Sequence, residues 1–339
     1  MDTRTQTTVK LRPFPQIAAR NQIPTTILKS IFGKAINNEG CFRWFNREFS
    51  QALSKLTPQL SSIEKRIVED LRANGLAFAH FDELFAPGFY AEIKSAFGHY
   101  LENFQATQKK TDQGKAIFLD TIHKAHNFVA NDPVSSYLAA PQFAAISAHY
   151  MQMVPRFVGS SFWHTRPAKA DGRLFSQQWH RDYNDRRLVK IFLYLNDVGQ
   201  ENGYFEHVTG TQVGGPLGDR FDTIGEDGLR AYPDQEALGR VLEEMPVIDL
   251  DGVPLENRTG SRAPWHGKPS VVRGQAPEGS LIFADTFGIH RGGYIKNGHR
   301  DMIMLTYSTN YNVHKPHFSV TSDFAATLSP FMRKSFGVE

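Results

Sequence analysis

Cysteine is almost absent from this chain, since Cys41 is the only one among 339 residues. One thiol excludes a disulfide within the chain. The chain also lacks any run of about 20 apolar residues, the length that a membrane-spanning helix needs. The segment 1–20 is polar and has no apolar core of signal-peptide length. We therefore expect a cytoplasmic protein with no membrane partner.

An excess of charge of either sign is missing as well. Lys and Arg number 38 and Asp and Glu number 35, which leaves a formal net charge of +3. That excess is too small to indicate binding to nucleic acid or to an anionic membrane. The apolar fraction of 40% and the charged fraction of 22% are typical of a globular protein. We expect a small-molecule substrate as the partner, and the sequence carries no signal for an oligomeric state.

Secondary-structure signals divide the chain into a helical first part and a strand-rich second part. Ser61 and Glu64 form a capping box, and Asn74 followed by Gly75 supplies a stop, which predicts a helix between them. Further helices are predicted after Pro87, through Phe143 and over 235–245, and strands over 76–81, 157–165, 187–196, 203–208, 279–284 and 302–309. Helices followed by strands indicate a sheet sandwich or barrel with flanking helices.

Three regions are predicted from this order. Residues 1–60, with several prolines and an aromatic cluster at 41–45, are an N-terminal extension packed on the core or, as an alternative, a partner-binding arm. Residues 61–339 form one domain, interrupted by a polar insertion at about 214–276. An insertion of this length is too long for an ordinary connection. It is either a lid that affects specificity or a passive excursion on the surface.

The segment Trp179-His180-Arg181-Asp182 carries the first chemical signal. Side chains alternate across an extended segment, so the imidazole of His180 and the carboxylate of Asp182 point to the same side. His290 follows a predicted strand and lies in a turn rich in glycine, where the backbone can pass close to a small ligand. Two imidazoles and one carboxylate, with the opposite face left open, are the ligand set of non-heme Fe(II) oxygenases.

Arg300 stands ten residues after His290, at the start of a predicted strand. A guanidinium in a strand-rich core needs an anionic partner, because an unpaired buried charge is costly. Its planar fork suits a carboxylate held by two hydrogen bonds. A structural ion pair with Asp301 or another acid is the alternative.

Three ordered blocks resemble the phytanoyl-CoA dioxygenase-like family of Fe(II)/2-oxoglutarate-dependent dioxygenases. An opening helix and strand read EKRIVEDLRANGLAFAHFDELF, and QQWHRD is followed by LYLNDVGQENGYFEHVTGTQ. The closing block, PEGSLIFADTFGIHRGGYIKNGHRDMIMLTYS, is similar to the block of the family that holds its distal histidine. The resemblance spans roughly residues 61–309.

The resemblance implies a mainly β fold with flanking helices and a double-stranded β-helix core of the jelly-roll, cupin-like type. It implies that His180, Asp182 and His290 bind Fe(II) and that Arg300 binds the distal carboxylate of 2-oxoglutarate. The implied activity is an oxygenase that uses O2 and 2-oxoglutarate to hydroxylate a small molecule and releases succinate and CO2. A cupin-like metal-dependent isomerase or a ligand-binding domain without oxygenase activity is the alternative.

The chain departs from the family pattern at two places, Thr209-Gly210-Thr211-Gln212 and Gly292, where relatives carry a P-G-S-H-like segment and a hydroxyl residue. Other side chains must therefore assist Arg300. The candidates for 2-oxoglutarate are Lys190, Tyr194 and Thr165, and those for the substrate are Trp163, Trp179, Arg262 and Trp265. Halogenases of this fold lack the carboxylate ligand, so Asp182 favours hydroxylation. Desaturation, ring closure and epimerisation use the same iron chemistry and are alternatives to hydroxylation.

Overall fold

The computed structural model describes residues 7–11, 39–107, 114–168, 172–182, 185–218, 235–310 and 316–338. Its helices are α1 (Glu39–Leu56), α2 (Ser62–Asn74), α3 (Phe81–Leu84), α4 (Phe89–Thr107), α5 (Pro133–Leu138), α6 (Pro141–Met151), α7 (Gln235–Glu243), α8 (Ser322–Thr327) and α9 (Pro330–Phe336). Its strands are β1 (Leu76–His80), β2 (Leu119–Lys124), β3 (Asn127–Phe128), β4 (Arg156–Thr165), β5 (Leu188–Tyr194), β6 (Phe205–Val208), β7 (Val247–Asp249), β8 (Val271–Gly274), β9 (Ser280–Asp285), β10 (His290–Gly292), β11 (Arg300–Ser308) and β12 (Ser319–Val320).

Helix α2 begins and ends where the sequence predicts. The Glu64 backbone N–H donates to the Ser61 hydroxyl, and the Ser61 backbone N–H donates to the Glu64 carboxylate at 2.6 Å, which completes the capping box. Gly75 ends the helix in the left-handed conformation with φ 73°. A glycine adopts this conformation without the steric cost that a Cβ would add.

Two facing sheets form the core. A six-stranded antiparallel sheet has the order β1-β9-β5-β11-β4-β2, and a four-stranded sheet has the order β10-β6-β8-β7. In the smaller sheet β7 pairs with β8 in parallel and the other pairs are antiparallel. The Tyr194 hydroxyl joins the sheets, since it accepts from the Phe205 N–H at 3.1 Å and lies 3.4 Å from the Gly274 carbonyl oxygen.

The path of the chain identifies the architecture. From β4 onward the chain crosses repeatedly between the sheets: β5, β9 and β11 belong to the larger one and β6, β8 and β10 to the smaller one. Before β5, His180 forms an antiparallel backbone bridge with His290 of β10, the edge strand of the smaller sheet. This alternation is the winding of a double-stranded β-helix. The predicted jelly-roll fold with flanking helices is confirmed.

Both faces of the larger sheet are covered, which explains its apolar strands. Ile191 and Leu193 of β5 pack outward in a cluster that includes Ile67 of α2 and Phe143 of α6. Phe192 points inward, and its ring centroid lies 5.0 Å from that of Phe205 on the opposite sheet. A strand covered on both faces is apolar at successive positions rather than at alternate ones.

The N-terminal region is described over 7–11 and from 39 onward. Phe42 and Phe49 of α1 are buried in the outer apolar cluster, and Thr8 and Leu11 form bridges to Thr321 and Val338. Residues 12–38, which belong to the predicted extension, lie outside the described part. Among the helices that the structure describes, none has the length and hydropathy to cross a membrane.

The predicted insertion at 214–276 is described apart from 219–234. Its predicted helix is α7, and β7 adds a parallel strand to the smaller sheet. The Arg258 guanidinium donates to the carbonyls of Val253 at 2.7 Å, Leu250 at 2.8 Å and Gln275. The later part of the insertion is therefore built into the sandwich.

Candidate metal centre and its cavity

Backbone hydrogen bonds hold the two ligand segments side by side. The His180 N–H donates to the His290 carbonyl at 2.9 Å, and the His290 N–H donates to the His180 carbonyl at 3.0 Å. The Asp182 N–H donates to the Thr286 carbonyl at 2.8 Å. These bonds bring together one ligand atom from each of His180, Asp182 and His290, all within 4.8 Å of one another.

Both imidazoles are in the state that metal binding requires. The Nδ1 of His180 lies 2.8 Å from the Gln178 carbonyl, and the Nδ1 of His290 lies 2.9 Å from the Gly288 carbonyl. A carbonyl only accepts, so each Nδ1 carries the proton and each Nε2 offers a lone pair. Burial lowers the pKa of His180 and of His290, which keeps both rings neutral.

Asp182 completes the set as a carboxylate. Burial by itself raises the pKa of Asp182, but Lys190 and the two imidazoles outweigh it and hold the pKa below its usual range. The Lys190 Nζ lies 2.6 Å from the Asp182 Oδ2, and the His290 Nε2 lies 3.7 Å from the same oxygen. Two neutral imidazoles and one ionised carboxylate fit Fe(II) by donor type and number.

The triad lies in the wall of a cavity of about 800 Å³ between the two sheets and helix α4. Its volume is within the range of small-molecule sites. The cavity lining around the triad and on the inner faces of the two sheets consists of His180, Asp182, Lys190, Phe192, Phe205, His290, Arg300, Met302 and Met304.

Arg300 contributes a buried cation to this cavity. Its side chain is 4% exposed, and its Nη1 donates to the Gly203 carbonyl. No carboxylate of the described residues lies within ion-pair distance of it, and its Nε has no hydrogen-bond partner among them. The alternative of a pair with Asp301 is wrong, because Asp301 pairs with His164 at 2.6 Å instead. Burial lowers the pKa of Arg300, as expected for an enclosed charge without an acid.

Two of the other predicted site residues line the cavity, Lys190 and Trp163. Lys190 contacts Asp182, and Trp163 lies on the inner face of β4. The predicted 2-oxoglutarate residues Tyr194 and Thr165 are buried outside the lining. Tyr194 is occupied by its bonds to the smaller sheet, and Thr165 is the strand partner of Arg300.

Three predicted substrate residues lie away from the cavity, and this corrects the expectation for them. The Arg291 guanidinium stacks over the Trp179 ring, with its Cζ 4.1 Å from the ring centroid. Trp265 is 1% exposed and packs against the edge of Phe78. Arg262 lines a separate small cavity on the surface. Trp179 and Trp265 are therefore core residues, and Arg262 is a surface residue.

Sequence reasoning missed the wall of the cavity that α4 and β2 form. This wall includes Phe104 of α4, Lys115 in the short helical turn Gly114–Ile117 that precedes β2, and Lys124 at the end of β2. Lys124 is exposed but reaches the cavity, because β2 has an irregularity between Thr121 and His123 and then pairs Lys124 with Ser161. No local motif marks these residues, since only the pairing of β2 with β4 places them here.

No protein-family model and no curated protein matches the sequence. Similar solved structures include EctD from S. alaskensis with 2-oxoglutarate and 5-hydroxyectoine, which is 15% identical, with 93% of this chain and 89% of that chain covered and a TM-score of 0.47. The non-heme alpha ketoglutarate dependent epimerase SnoN from nogalamycin biosynthesis is 13% identical, with 73% and 83% covered and a TM-score of 0.44. The carbocyclase SnoK from the same biosynthesis is 13% identical, with 74% and 84% covered and a TM-score of 0.43. Likeness at this level of identity and TM-score assigns no activity to this chain.

Proposed function

We propose that this protein is a non-heme Fe(II)- and 2-oxoglutarate-dependent oxygenase that hydroxylates a small molecule and releases succinate and CO2. One observation carries the proposal: a triad of two neutral imidazoles and a carboxylate shares a cavity with Arg300, a buried guanidinium without an acid partner among the described residues. A metal-binding sandwich without a carboxylate co-substrate has no use for such a cation.

His180 and His290 would hold the iron through Nε2, and Asp182 through one carboxylate oxygen. Three protein ligands leave the opposite face open for the co-substrate and O2. Bound Fe(II) supplies the O2 chemistry that couples decarboxylation of 2-oxoglutarate to oxidation of the substrate. Lys190 Nζ lies 2.6 Å from Asp182 Oδ2 and would orient the carboxylate as a positioning residue.

The spacing of His290, Gly292 and Arg300 suits a five-carbon diacid. Arg300 Nη2 lies 3.7 Å from the point where a Cβ on Gly292 would stand. Gly292 is two residues along β10 from His290, and two residues of an extended strand span about 6.6 Å. A 2-oxoglutarate bound to iron at one end would therefore place its distal carboxylate within reach of the Arg300 guanidinium. The missing side chain at Gly292 leaves that path open.

Replacement of one iron ligand tests the proposal. His290→Ala should lose both Fe(II) retention, measured by metal analysis of anaerobically loaded protein, and succinate formation from 2-oxoglutarate. The matched control is His99→Ala, because the His99 side chain is 75% exposed on α4 and it should behave as the parent. If His290→Ala forms succinate at the parent rate, the ligand assignment is wrong.

A further inference from the structure

The charges in the cavity wall do not balance. Five cationic side chains and two carboxylates line it: Lys115, Lys124, Arg166, Lys190, Arg300, Asp120 and Asp182. Both carboxylates have partners, since Arg166 Nε lies 3.2 Å from Asp120 Oδ2 and Lys190 lies 2.6 Å from Asp182. Arg300, Lys115 and Lys124 have no carboxylate within ion-pair distance among the described residues. If Arg300 holds the co-substrate, two ammonium groups remain.

Those two ammonium groups occupy the wall that sequence reasoning missed. Lys115 lies in the short helical turn Gly114–Ile117 that leads into β2, and Lys124 is the last residue of β2. Both side chains line the cavity and are exposed, so their ammonium groups lie at its mouth.

Apolar side chains line much of the remaining wall of the cavity. Leu101 and Phe104 reach the cavity from α4, and Trp163, Phe192 and Met304 reach it from the inner face of the larger sheet. In the register of the sheet, Met304 pairs with both Ser161 and Phe192, and Ser161 pairs with Lys124. An apolar strip therefore leads from the Lys124 side toward the triad.

We infer that the substrate of this site is an amphipathic organic anion, with an apolar body against Phe104, Trp163 and Met304 and a carboxylate or phosphate that pairs with Lys115 or Lys124. This inference rests on the proposed function for the reaction, but the lysine wall needs no iron to bind an anion. Iron and 2-oxoglutarate carry opposite double charges and cancel, so the loaded cavity keeps the positive excess of its walls. A concave wall of one sign concentrates ligands of the opposite sign.

Three naphthalene probes with different head groups test this inference: 2-naphthoate, 2-naphthyl phosphate and 2-naphthylmethylammonium. Each is titrated by calorimetry into the full chain loaded anaerobically with Fe(II) and saturating 2-oxoglutarate. At least one anion should bind tenfold or more tightly than the ammonium probe, and the better of the two anions identifies the head group. Equal binding of all three probes, or preference for the ammonium, would overturn the inference.

Two double substitutions locate the anion. Lys115→Met with Lys124→Met should weaken binding of the preferred anion at least tenfold, and Lys115→Glu with Lys124→Glu should reverse the preference toward the ammonium probe. The matched control is Lys55→Met with Lys65→Met, which removes two exposed lysines from α1 and α2 and should change nothing. If the methionine pair fails to fold, Lys115→Gln with Lys124→Gln replaces it. Unchanged anion binding in a folded lysine variant contradicts the inference.

A repeat on metal-free chain separates this inference from the proposed function. If the anion preference persists without iron while the loaded protein makes no succinate, the anion site stands and the oxygenase proposal fails. If succinate forms but the probes bind with equal affinity, the oxygenase proposal stands and the anion site fails. An anion that competes with 2-oxoglutarate and depends on Arg300 alone also places the site elsewhere and overturns the inference.

Discussion

The buried Arg300 guanidinium donates a hydrogen bond to one backbone carbonyl, and no carboxylate of the described residues pairs with it. Isolated charges of this kind are costly in a folded protein. A ligand carboxylate would offset that cost with two parallel hydrogen bonds, whose geometry depends on the planar fork of arginine. The consequence is measurable in co-substrate affinity.

Arg300→Ala should weaken 2-oxoglutarate binding ten- to a hundredfold, because each hydrogen bond to a charged group contributes roughly 1.5–3 kcal/mol. Arg300→Lys should fall between the parent and the alanine variant, since it keeps the charge and loses the fork. The measurement is an anaerobic titration of the Fe(II)-loaded protein, followed by the visible charge-transfer band. Iron retention should survive in both.

The control for this titration is Arg240→Ala, which removes an exposed arginine that pairs with Glu236 on α7. It should bind 2-oxoglutarate as the parent does. If both Arg300 variants also match the parent, Arg300 is a structural residue and the co-substrate proposal fails with it.

The residues of the site differ in how far the sequence predicts them. His180 and Asp182 form a local pattern, and the glycines around His290 mark a turn, so these three could be named from short segments. Lys115 and Lys124 could not be named, because their common wall depends on strand pairing between distant segments. No local sequence pattern distinguishes a lysine that lines a cavity from an edge strand from a lysine on an ordinary solvated surface.

At the scale of elements, strands and helices with strong local signals were predicted to within a few residues. The capping box of α2 and the doubly apolar β5 are examples. The parallel strand β7 was not predicted, because it has three residues and owes its conformation to β8. Its place in the sheet explains why the later part of the 214–276 segment packs into the sandwich.

Arg258 ties that segment to the core, and its loss should destabilise the fold. Arg258→Ala leaves three backbone carbonyls without their donor, so we expect a loss of about 2–4 kcal/mol in the free energy of unfolding. Arg262→Ala, four residues along and exposed, should change it by less than about 0.5 kcal/mol. Urea unfolding of the two variants measures the difference. Equal stability would show that the Arg258 contacts do not hold the segment.

At the scale of the whole molecule, the interior encloses ionisable groups that the metal site does not use. Asp285 is fully buried and accepts a hydrogen bond of 2.6 Å from the Tyr150 hydroxyl. Burial raises the pKa of Asp285 to about 6, although Tyr150 and the Phe287 N–H oppose the rise. The folded state therefore holds this proton more tightly than the unfolded chain does. Ionisation of Asp285 reduces stability as the pH rises from about 4 to about 6.

Asp285→Asn should remove this dependence. The free energy of unfolding of the variant relative to the parent should increase between pH 4 and pH 7 by on the order of 2 kcal/mol, because the amide does not ionise. Loss of the native hydrogen-bond geometry adds an offset that does not vary with pH. Urea unfolding at several pH values measures the slope, with exposed Asp251→Asn as the control. A difference that stays constant with pH would contradict the assignment.

The two ends of the cavity differ in how firmly the sheets hold them. Asp182 contacts Lys190 of β5, which lies between β9 and β11, and His290 is held by β6 and by the bridge to His180. Lys115 and Lys124 lie in and just before β2, which has β4 as its one strand neighbour in the described sheet. Substitutions on β2 disturb few pairings, whereas substitutions near the triad disturb many. The proposed substrate contacts can therefore change during evolution without disturbing the proposed metal ligands, because different strands carry the two sets of residues.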